Sequence, residues 1–255
     1  MADKHYDITY LQNTVRLLKS LKDHSYTFFQ DIDSGSVIDL GCGAGNDVIE
    51  LSKMLGEQVK VIGVDHDPVM LEQGRTQSQA LAVNTEFILS EAFPLPFQNN
   101  AIAGLRSERL IQHLQHPEKV FADIHRILAD GAPLVIIETD WHSLSFYTEF
   151  VDTGKKINAY LTDVKVNNGF AARRITSYLQ SLDFKDIQFE IHPFIVNSLE
   201  EANEYFWIDR IVKEAAELGY ISEAERKDFY DALQSSDEKS YFSCSINLVI
   251  ASCIK

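Results

Sequence analysis

The chain has 255 residues, of which 45% are hydrophobic and 24% are charged, as in an ordinary soluble globular domain. Its formal net charge of −15 argues against DNA or RNA as partners. Its three cysteines are scattered without the spacing of metal ligands, so we expect a reducing compartment and no metal site. No leader peptide and no apolar run of about 18 residues is evident, so we expect a cytoplasmic protein that does not span a membrane.

Hydrophobic periodicity in the first half of the chain alternates between helices and strands. A helical pattern covers about residues 7–30, with apolar residues three and four positions apart. Strands are then predicted over 36–41, 60–65, 85–92, 101–107 and 133–140, and helices over 46–55, 68–81 and 117–128. These strands are nearly continuous runs of Val, Ile and Leu, which is typical of a parallel sheet covered by helices on both faces.

The second half departs from this alternation. Helices are predicted over 143–166, 171–182 and 199–233, and strands over 185–196 and 240–255. Extra helices beside such a sheet often cover the ligand crevice, although their aromatic residues equally suit an ordinary core. We therefore predict a single domain over 1–255. Its core would comprise about 30–140, 182–196 and 240–255, and its helical lid about 141–166 and 197–238.

The stretch VIDLGCGAGND, residues 37–47, places three glycines directly after the first predicted strand. Their spacing is G-x-G-x-G, whereas a dinucleotide site requires G-x-G-x-x-G and a phosphate loop requires a Gly-Lys-Ser/Thr ending. Asp39 lies inside the strand, where its charge disfavours a pyrophosphate and favours a cationic ligand. Asp65 ends the second strand about 20 residues later, where an acidic residue commonly binds ribose hydroxyls. The alternative for Asp65 is a turn or helix-capping acid.

Together with VIGVDHDPVML, residues 61–71, this stretch resembles motifs I and II of class I S-adenosylmethionine-dependent methyltransferases. Residues 89–140 resemble the remaining core of the subgroup related to quinone-biosynthesis C-methyltransferases. The resemblance implies a Rossmann-like α/β fold, with a doubly wound, mostly parallel seven-stranded sheet and an inserted helical lid. Two residues depart from the pattern: Glu91 stands where Asp is usual, and Ala132 replaces the second glycine of a Gly-Gly pair.

The resemblance also implies S-adenosylmethionine as cofactor, S-adenosylhomocysteine as product, and a role for each matching residue. Gly41, Gly43 and Gly45 would contact the methionine part, near whose ammonium group Asp39 would lie. Asp65 would bind the ribose hydroxyls. The other implied cofactor residues are His66 and Glu91 at the adenine, Ala92 and Phe93 alongside, Arg106 beside the methyl-bearing sulfur, and Tyr10 closing over the cofactor.

Candidate acceptor-binding residues follow the fourth and fifth predicted strands, because ligands bind beyond the carboxyl ends of such strands. Glu108, Arg109 and Trp141 are the candidates for substrate contact. Their alternatives are a helix-terminus acid, a solvated ion-pair partner and a core aromatic residue. His113 is the candidate catalytic base, or else a structural histidine bonded to backbone. Methyl transfer requires a base only when the acceptor arrives protonated.

These observations predict a methyltransferase that acts on a small organic molecule. The main alternative is a non-catalytic S-adenosylmethionine-binding or partner-regulating module of the same fold. A protein or RNA methyltransferase is less favoured, because no Asn/Asp-Pro-Pro-aromatic signature follows the fourth strand. A nicotinamide-dependent oxidoreductase is disfavoured by the missing third glycine of its fingerprint. The acceptor, the methylated atom and the oligomeric state stay open.

Overall fold

A computed structural model describes residues 18–255 of the chain. Contacts between residues divide the chain into two units. The first unit comprises Lys22–Thr139, Ala171–Ile191 and Val249–Lys255. The second comprises Asp140–Phe170 and His192–Leu248, together with the described residues before Lys22. Among the helices of residues 18–255, none is long and apolar enough to cross a bilayer.

Seven strands and nine α-helices are found within the described residues. The strands are β1 (Gly35–Leu40), β2 (Val59–Asp65), β3 (Thr85–Leu89), β4 (Gly104–Glu108), β5 (Pro133–Phe146), β6 (Lys185–Val196) and β7 (Cys244–Ile254). The helices are α1 (Lys19–Thr27), α2 (Asn46–Leu55), α3 (Pro68–Leu81), α4 (Pro117–Ile127), α5 (Val151–Tyr160), α6 (Ala171–Ser181), α7 (Leu199–Phe206), α8 (Ile208–Glu217) and α9 (Glu223–Glu238). A 3₁₀ turn covers Ile111–His113, and a π-helical turn covers Leu161–Lys165.

The strands form one seven-stranded sheet in the order β3-β2-β1-β4-β5-β7-β6. β2 pairs in parallel with β1 and β3, and β4 pairs in parallel with β1 and β5. β7 runs antiparallel to β5, because the Tyr147 N–H donates to Ser243 whereas the Lys255 N–H donates to Ala132. The predicted α/β fold with a mostly parallel seven-stranded sheet is therefore confirmed.

Local sequence signals set the start of two helices in the first unit. α2 begins immediately after Gly45, whose φ of +77° suits a residue without a Cβ atom. α3 begins at Pro68, and the Asp67 side chain caps it by accepting hydrogen bonds from the Val69 and Met70 backbone N–H groups. Both helices have the bounds predicted from the sequence.

Each unit buries its own apolar cluster. In the first unit, residues of β1, β4, β5, α4 and α6 pack together, among them Ile38, Leu105, Ile136, Phe121 and Ile175. In the second unit, a separate cluster includes Leu144, Ile157, Ile211, Phe229 and Ile246. Full burial of one such side chain contributes about 1.5–3 kcal/mol, so each unit has a substantial hydrophobic core.

The predicted helix over 143–166 is wrong at its start. Residues 143–146 continue β5, and α5 begins only at Val151. The reason is that this part of β5 lies beside β7, which is far away in sequence. The Ser143 hydroxyl accepts a 2.8 Å hydrogen bond from the Asn247 N–H of β7. Leu144 is buried between exposed or half-buried neighbours, which is the alternation of a strand.

The predicted helical region over 199–233 is three helices rather than one. Trp207, with φ of +53°, separates α7 from α8, and Gly219, with φ of +78°, lies between α8 and α9. A left-handed residue ends the regular hydrogen-bond pattern of a helix. The proposed function of these helices as a lid stays a prediction.

Candidate functional site

The glycine turn after β1 is held by its neighbour β2. The Gly41 N–H donates to the Val64 carbonyl at 2.8 Å, and the Gly43 N–H donates to Asp65 Oδ2 at 2.8 Å. The other oxygen of Asp65, Oδ1, accepts from the Asp67 N–H at 2.9 Å. Asp65 therefore fixes the glycine turn from the carboxyl end of β2, where ligands of parallel sheets bind.

The three glycines of the turn differ in what surrounds them, although all have positive φ. A Cβ atom on Gly45 would lie 2.5 Å from Phe87 Cε1, and a Cβ on Gly41 would lie 3.2 Å from Leu110. A Cβ on Gly43 would meet no atom within 4 Å. Gly41 and Gly45 thus permit close packing, whereas Gly43 borders open space beside the Asp65 carboxylate.

A group of five buried or largely buried charged residues lies on α1, α2, β1 and β4. We call this group, Lys22, Asp39, Asp47, Arg106 and Glu108, the buried charge cluster. Arg106 is fully buried and lies 3.1 Å from Asp39 Oδ1 and 2.6 Å from Glu108 Oε2. Lys22 Nζ lies 2.7 Å from Asp47 Oδ2 and 2.6 Å from Glu108 Oε2. Arg106 also approaches Asp47, with Nη1 3.6 Å from Oδ2.

Neutral residues of α1 complete the partners of this cluster. The Ser25 hydroxyl accepts from Arg106 Nε at 3.1 Å. The Tyr26 hydroxyl donates to Asp47, and its ring lies under the Arg106 guanidinium, 5.4 Å from ring centre to Cζ. Burial and the Asp47 carboxylate raise the pKa of Tyr26, so the phenol stays protonated. The cluster carboxylates, the Ser25 hydroxyl and the Tyr26 ring therefore together hold the Arg106 guanidinium in place.

The three carboxyl groups of the buried charge cluster differ in pKa. Burial tends to raise the pKa of Glu108, but Lys22, Arg106 and Arg109 outweigh it and hold that pKa well below its usual range. Burial also tends to raise the pKa of Asp47, but Arg106 and Lys22 outweigh it, so that pKa is lowered. At Asp39, burial dominates over the Arg106 charge and raises the pKa to about 7. Glu108 and Asp47 are thus ionised, and Asp39 titrates near neutral pH.

The predicted adenine-binding residues lie beyond β2 and β3. His66 is exposed, with Nδ1 3.3 Å from Asp65 Oδ1. Three of the predicted residues, which follow β3 in the chain, line one cavity of about 260 Å³. The segment before α4 borders the same cavity. The lining residues include Glu91, Ala92, Phe93, Leu114, Gln115 and His116.

The predicted acceptor residues of the first unit lie on or after β4. Arg109 has φ of +52°, and its Nε lies 3.3 Å from Glu108 Oε1. His113 ends the 3₁₀ turn, and its Nε2 lies 3.3 Å from Gln112 Nε2. Glu108 is largely buried in the charge cluster. The structure thus brings Glu108, Arg109 and Arg106 together, and His113 follows four residues after Arg109.

Two predicted residues fall elsewhere. Trp141 lies on β5 within the second unit, where it packs against that unit's apolar cluster. Tyr10 lies outside the described residues. The roles assigned to individual residues from the sequence stay predictions.

Sequence reasoning missed three charged residues. Lys22 and Asp47 belong to the buried charge cluster, and Glu138 is fully buried on β5. Asp47 closely follows the glycine turn, and Glu138 directly follows the apolar run PLVII within a predicted strand, so both carried a signal. Lys22 carried none, because a lysine on an amphipathic helix is usually exposed.

The family follows from comparison with known proteins. The pattern of a family described as a methyltransferase domain matches residues 32–180, which is more than half of the 255-residue chain. The chain therefore belongs to this methyltransferase domain family. The predicted family and its cofactor class, S-adenosylmethionine, are confirmed.

Individual relatives are distant and longer than the matched region. The chain is 28% identical over 199 residues to an uncharacterized 37.1 kDa transposon protein of Streptomyces fradiae. The matched region covers 78% of this chain and 57% of that protein. It is 31% identical over 120 residues to demethylmenaquinone methyltransferase of Lactococcus lactis. That match covers 47% of this chain and 48% of that enzyme. The chain thus spans about half the length of the curated relatives it matches.

A solved structure supports the fold. Phosphoethanolamine N-methyltransferase 2 of Haemonchus contortus, in complex with S-adenosyl-L-methionine, matches with a TM-score of 0.59 and 17% identity. The match covers 92% of this chain and 52% of that enzyme. At this identity the likeness concerns the fold alone.

Proposed function

We propose that the protein is an S-adenosylmethionine-dependent methyltransferase that methylates a small organic acceptor and releases S-adenosylhomocysteine. The observation that carries this proposal is the open glycine turn at Gly43 beside the Asp65 carboxylate. Both lie at the carboxyl ends of neighbouring parallel strands, the usual ligand edge of such sheets. When bound, S-adenosylmethionine supplies an electrophilic methyl group on a sulfonium centre.

The residues at this edge fit the polar groups of that cofactor. Asp65 is an acceptor for ribose hydroxyls, in addition to its hydrogen bond from the Gly43 N–H. A side chain on residue 43 would fill the open space beside it, so glycine keeps a cradle for the ligand. The cavity next to Glu91, Ala92 and Phe93 suits a flat aromatic ring system.

The buried charge cluster supports a cationic ligand rather than a diphosphate. Lys22 and Arg106 face the carboxylates of Asp39, Asp47 and Glu108, and Arg109 is a further cation beside Glu108. Asp39 is the acid least compensated by these cations, and it lies two residues before the glycine turn. A sulfonium or ammonium group is attracted to such a carboxylate, whereas a pyrophosphate is repelled.

The groups after β4 suit acceptor orientation better than proton transfer by Glu108. Glu108 is ionised and accepts from Lys22 and Arg106, so it is a weak base. We assign Arg109 and Glu108 to orientation of the acceptor and His113 to proton removal when the acceptor is protonated. The net charge of −15 favours a small molecule over a nucleic acid.

A methyl-transfer assay tests the proposal. The protein is incubated with S-adenosylmethionine that carries an isotopic label on its methyl group, together with separated small-molecule, protein and RNA fractions of a cell extract. We expect label to enter the small-molecule fraction. At limiting S-adenosylmethionine, Asp65→Ala should lower transfer about 10-fold or more. Asp130→Asn should retain transfer, because the Asp130 side chain is 92% exposed and lies after α4.

The other outcomes separate the alternatives. Cofactor binding without transfer to any fraction would favour the non-catalytic module. Label in protein or RNA would replace the small-molecule acceptor with a macromolecule. No binding of S-adenosylmethionine would overturn the proposal.

A further inference from the structure

Glu138 is a fully buried acid on β5 that belongs to none of the groups described above. Its neighbour Ile137 pairs with Glu108 of β4 in the parallel register. Because side chains alternate along a strand, Glu138 points to the sheet face opposite to Glu108 and the buried charge cluster. It therefore needs partners of its own.

The two oxygens of Glu138 have different surroundings. Oε1 accepts from the Ile111 N–H at 2.5 Å, and the Gln112 N–H approaches it at 3.4 Å. Oε2 is buried and has no hydrogen-bond partner among residues 18–255. An ionised carboxylate buried with one bare oxygen is costly. The neutral acid carries its proton on that oxygen and costs less to bury, although its O–H also finds no acceptor among residues 18–255.

The segment that Glu138 holds is the turn after β4, residues 109–113, which we call the β4 turn. Arg109 adopts φ of +52°, a conformation that residues other than glycine seldom populate. Its N–H donates to the Ile137 carbonyl at 2.7 Å, and its own carbonyl accepts from Gln112 Nε2 at 3.1 Å. Glu138 thus anchors the far end of a turn whose near end is conformationally strained.

We propose that Glu138 is a positioning residue whose protonated carboxyl group holds the β4 turn closed, so that loss of this proton opens the turn. The β4 turn carries Arg109 and His113, the residues assigned above to the acceptor. For catalysis, the inference therefore rests on the proposed function. The opening of the turn does not depend on it.

The charges around Glu138 agree with a protonated form near neutral pH. Burial is the largest influence and raises the pKa of Glu138 to about 8. The N–H groups of Ile111 and Gln112 act in the opposite direction, as does the Arg109 charge, while the Glu108 charge adds to the rise. The closed turn therefore keeps Glu138 protonated at pH values at which a glutamate in water would be ionised.

The expected pH dependence follows from this difference. In an open turn, Glu138 would return to its ordinary pKa of 4.5, against about 8 in the closed turn. Between these values, opening releases a proton, so the opening constant rises by up to about tenfold per pH unit and levels off near pH 8.

Hydrogen exchange of the Ile111 and Gln112 amides tests this inference without any assay of methyl transfer. Protection factors of the wild type and Glu138→Gln are compared from about pH 5 to pH 9. The Ile124 amide, buried in α4, serves as control for global unfolding. We expect the ratio of wild-type to variant protection at Ile111 to fall by up to about tenfold per pH unit and to flatten near pH 8.

Several outcomes would overturn the inference. A ratio that does not change with pH would mean that Glu138 has the same charge in open and closed turns. Full protection of Ile111 in Glu138→Leu would mean that Glu138 does not hold the turn. If Glu138→Gln fails to fold, the wild type alone decides, since protection at Ile111 must fall relative to Ile124 as pH rises. Failure of S-adenosylmethionine binding would overturn the proposed function and leave these results unaffected.

Discussion

The Asp65 carboxylate accepts a 2.8 Å hydrogen bond from the backbone N–H of Gly43, which joins the end of β2 to the glycine turn after β1. The residue predicted to bind the cofactor ribose therefore also shapes the turn that would hold the rest of the cofactor. A carboxylate has several lone pairs, so both functions are compatible. Variants of Asp65 can separate them.

We expect Asp65→Ala to destabilise the protein by about 1.5–3 kcal/mol, because the Gly43 and Asp67 N–H groups lose a charged acceptor. Asp65→Asn should lose less, because its amide oxygen still accepts one of these hydrogen bonds. Urea denaturation of both variants measures the difference. Equal stability of Asp65→Ala and the wild type would show that the hydrogen bond to the turn contributes nothing.

Lys22→Met should be strongly destabilising, by about 3–5 kcal/mol, because it leaves Asp47 and Glu108 buried with one cation fewer. The matched control is Lys53→Met, which removes an exposed ion pair with Glu50 and should change stability by less than about 1 kcal/mol. Denaturation midpoints and slopes of the two variants give the comparison. A similar small effect for both would contradict the buried charge cluster.

Gly45→Ala and Gly219→Ala separate steric crowding from backbone strain. Both glycines have positive φ, of +77° and +78°, but a Cβ atom on Gly45 would lie 2.5 Å from Phe87, whereas one on Gly219 would meet no atom within 4 Å. We expect about 1 kcal/mol from strain at either position and a further 1–3 kcal/mol from overpacking at Gly45. Thermal unfolding of the two variants tests this order, which would be wrong if Gly219→Ala were the less stable.

The affinity for a cationic cofactor should increase with pH below about pH 7. Burial raises the pKa of Asp39 to about 7, so at lower pH the acid is protonated and must ionise to attract a positive charge. Binding constants of the wild type and Asp39→Asn, measured from about pH 5.5 to pH 8, provide the test. Their ratio should rise by up to about tenfold per pH unit and level off above pH 7. A constant ratio would mean that Asp39 does not titrate in this range.

Local signals in the sequence were enough to predict much of the first unit. The bounds of α2 and α3 depend on Gly45 and on the Asp67-Pro68 pair, which act within a few residues. Parallel strands followed from the long apolar runs. The continuation of β5 through 143–146 was not predictable, because it depends on pairing with Asn247, about a hundred residues away.

The glycine turn and Asp65 could also be found from the sequence, because their spacing is set by one strand-turn-helix unit. The buried charge cluster could not. Lys22 reaches Asp47 and Glu108 across 25 and 86 residues of sequence, and nothing in an isolated α1 marks its lysine as buried. Glu138 was recognisable as an acid inside an apolar strand, but its backbone partners in the β4 turn depend on the folded register.

The central claim is that the turn after β1, with Asp39 and Asp65 beside it, accepts a cationic nucleoside rather than a dinucleotide. Isothermal titration of the wild type with S-adenosylmethionine and with NADH tests this most directly, with Asp130→Asn as a control variant. The account predicts micromolar-range binding of S-adenosylmethionine, weakened about 10-fold or more by Asp65→Ala and unchanged by Asp130→Asn, and no binding of NADH. Binding of NADH, or no heat with S-adenosylmethionine at millimolar concentration, would contradict it.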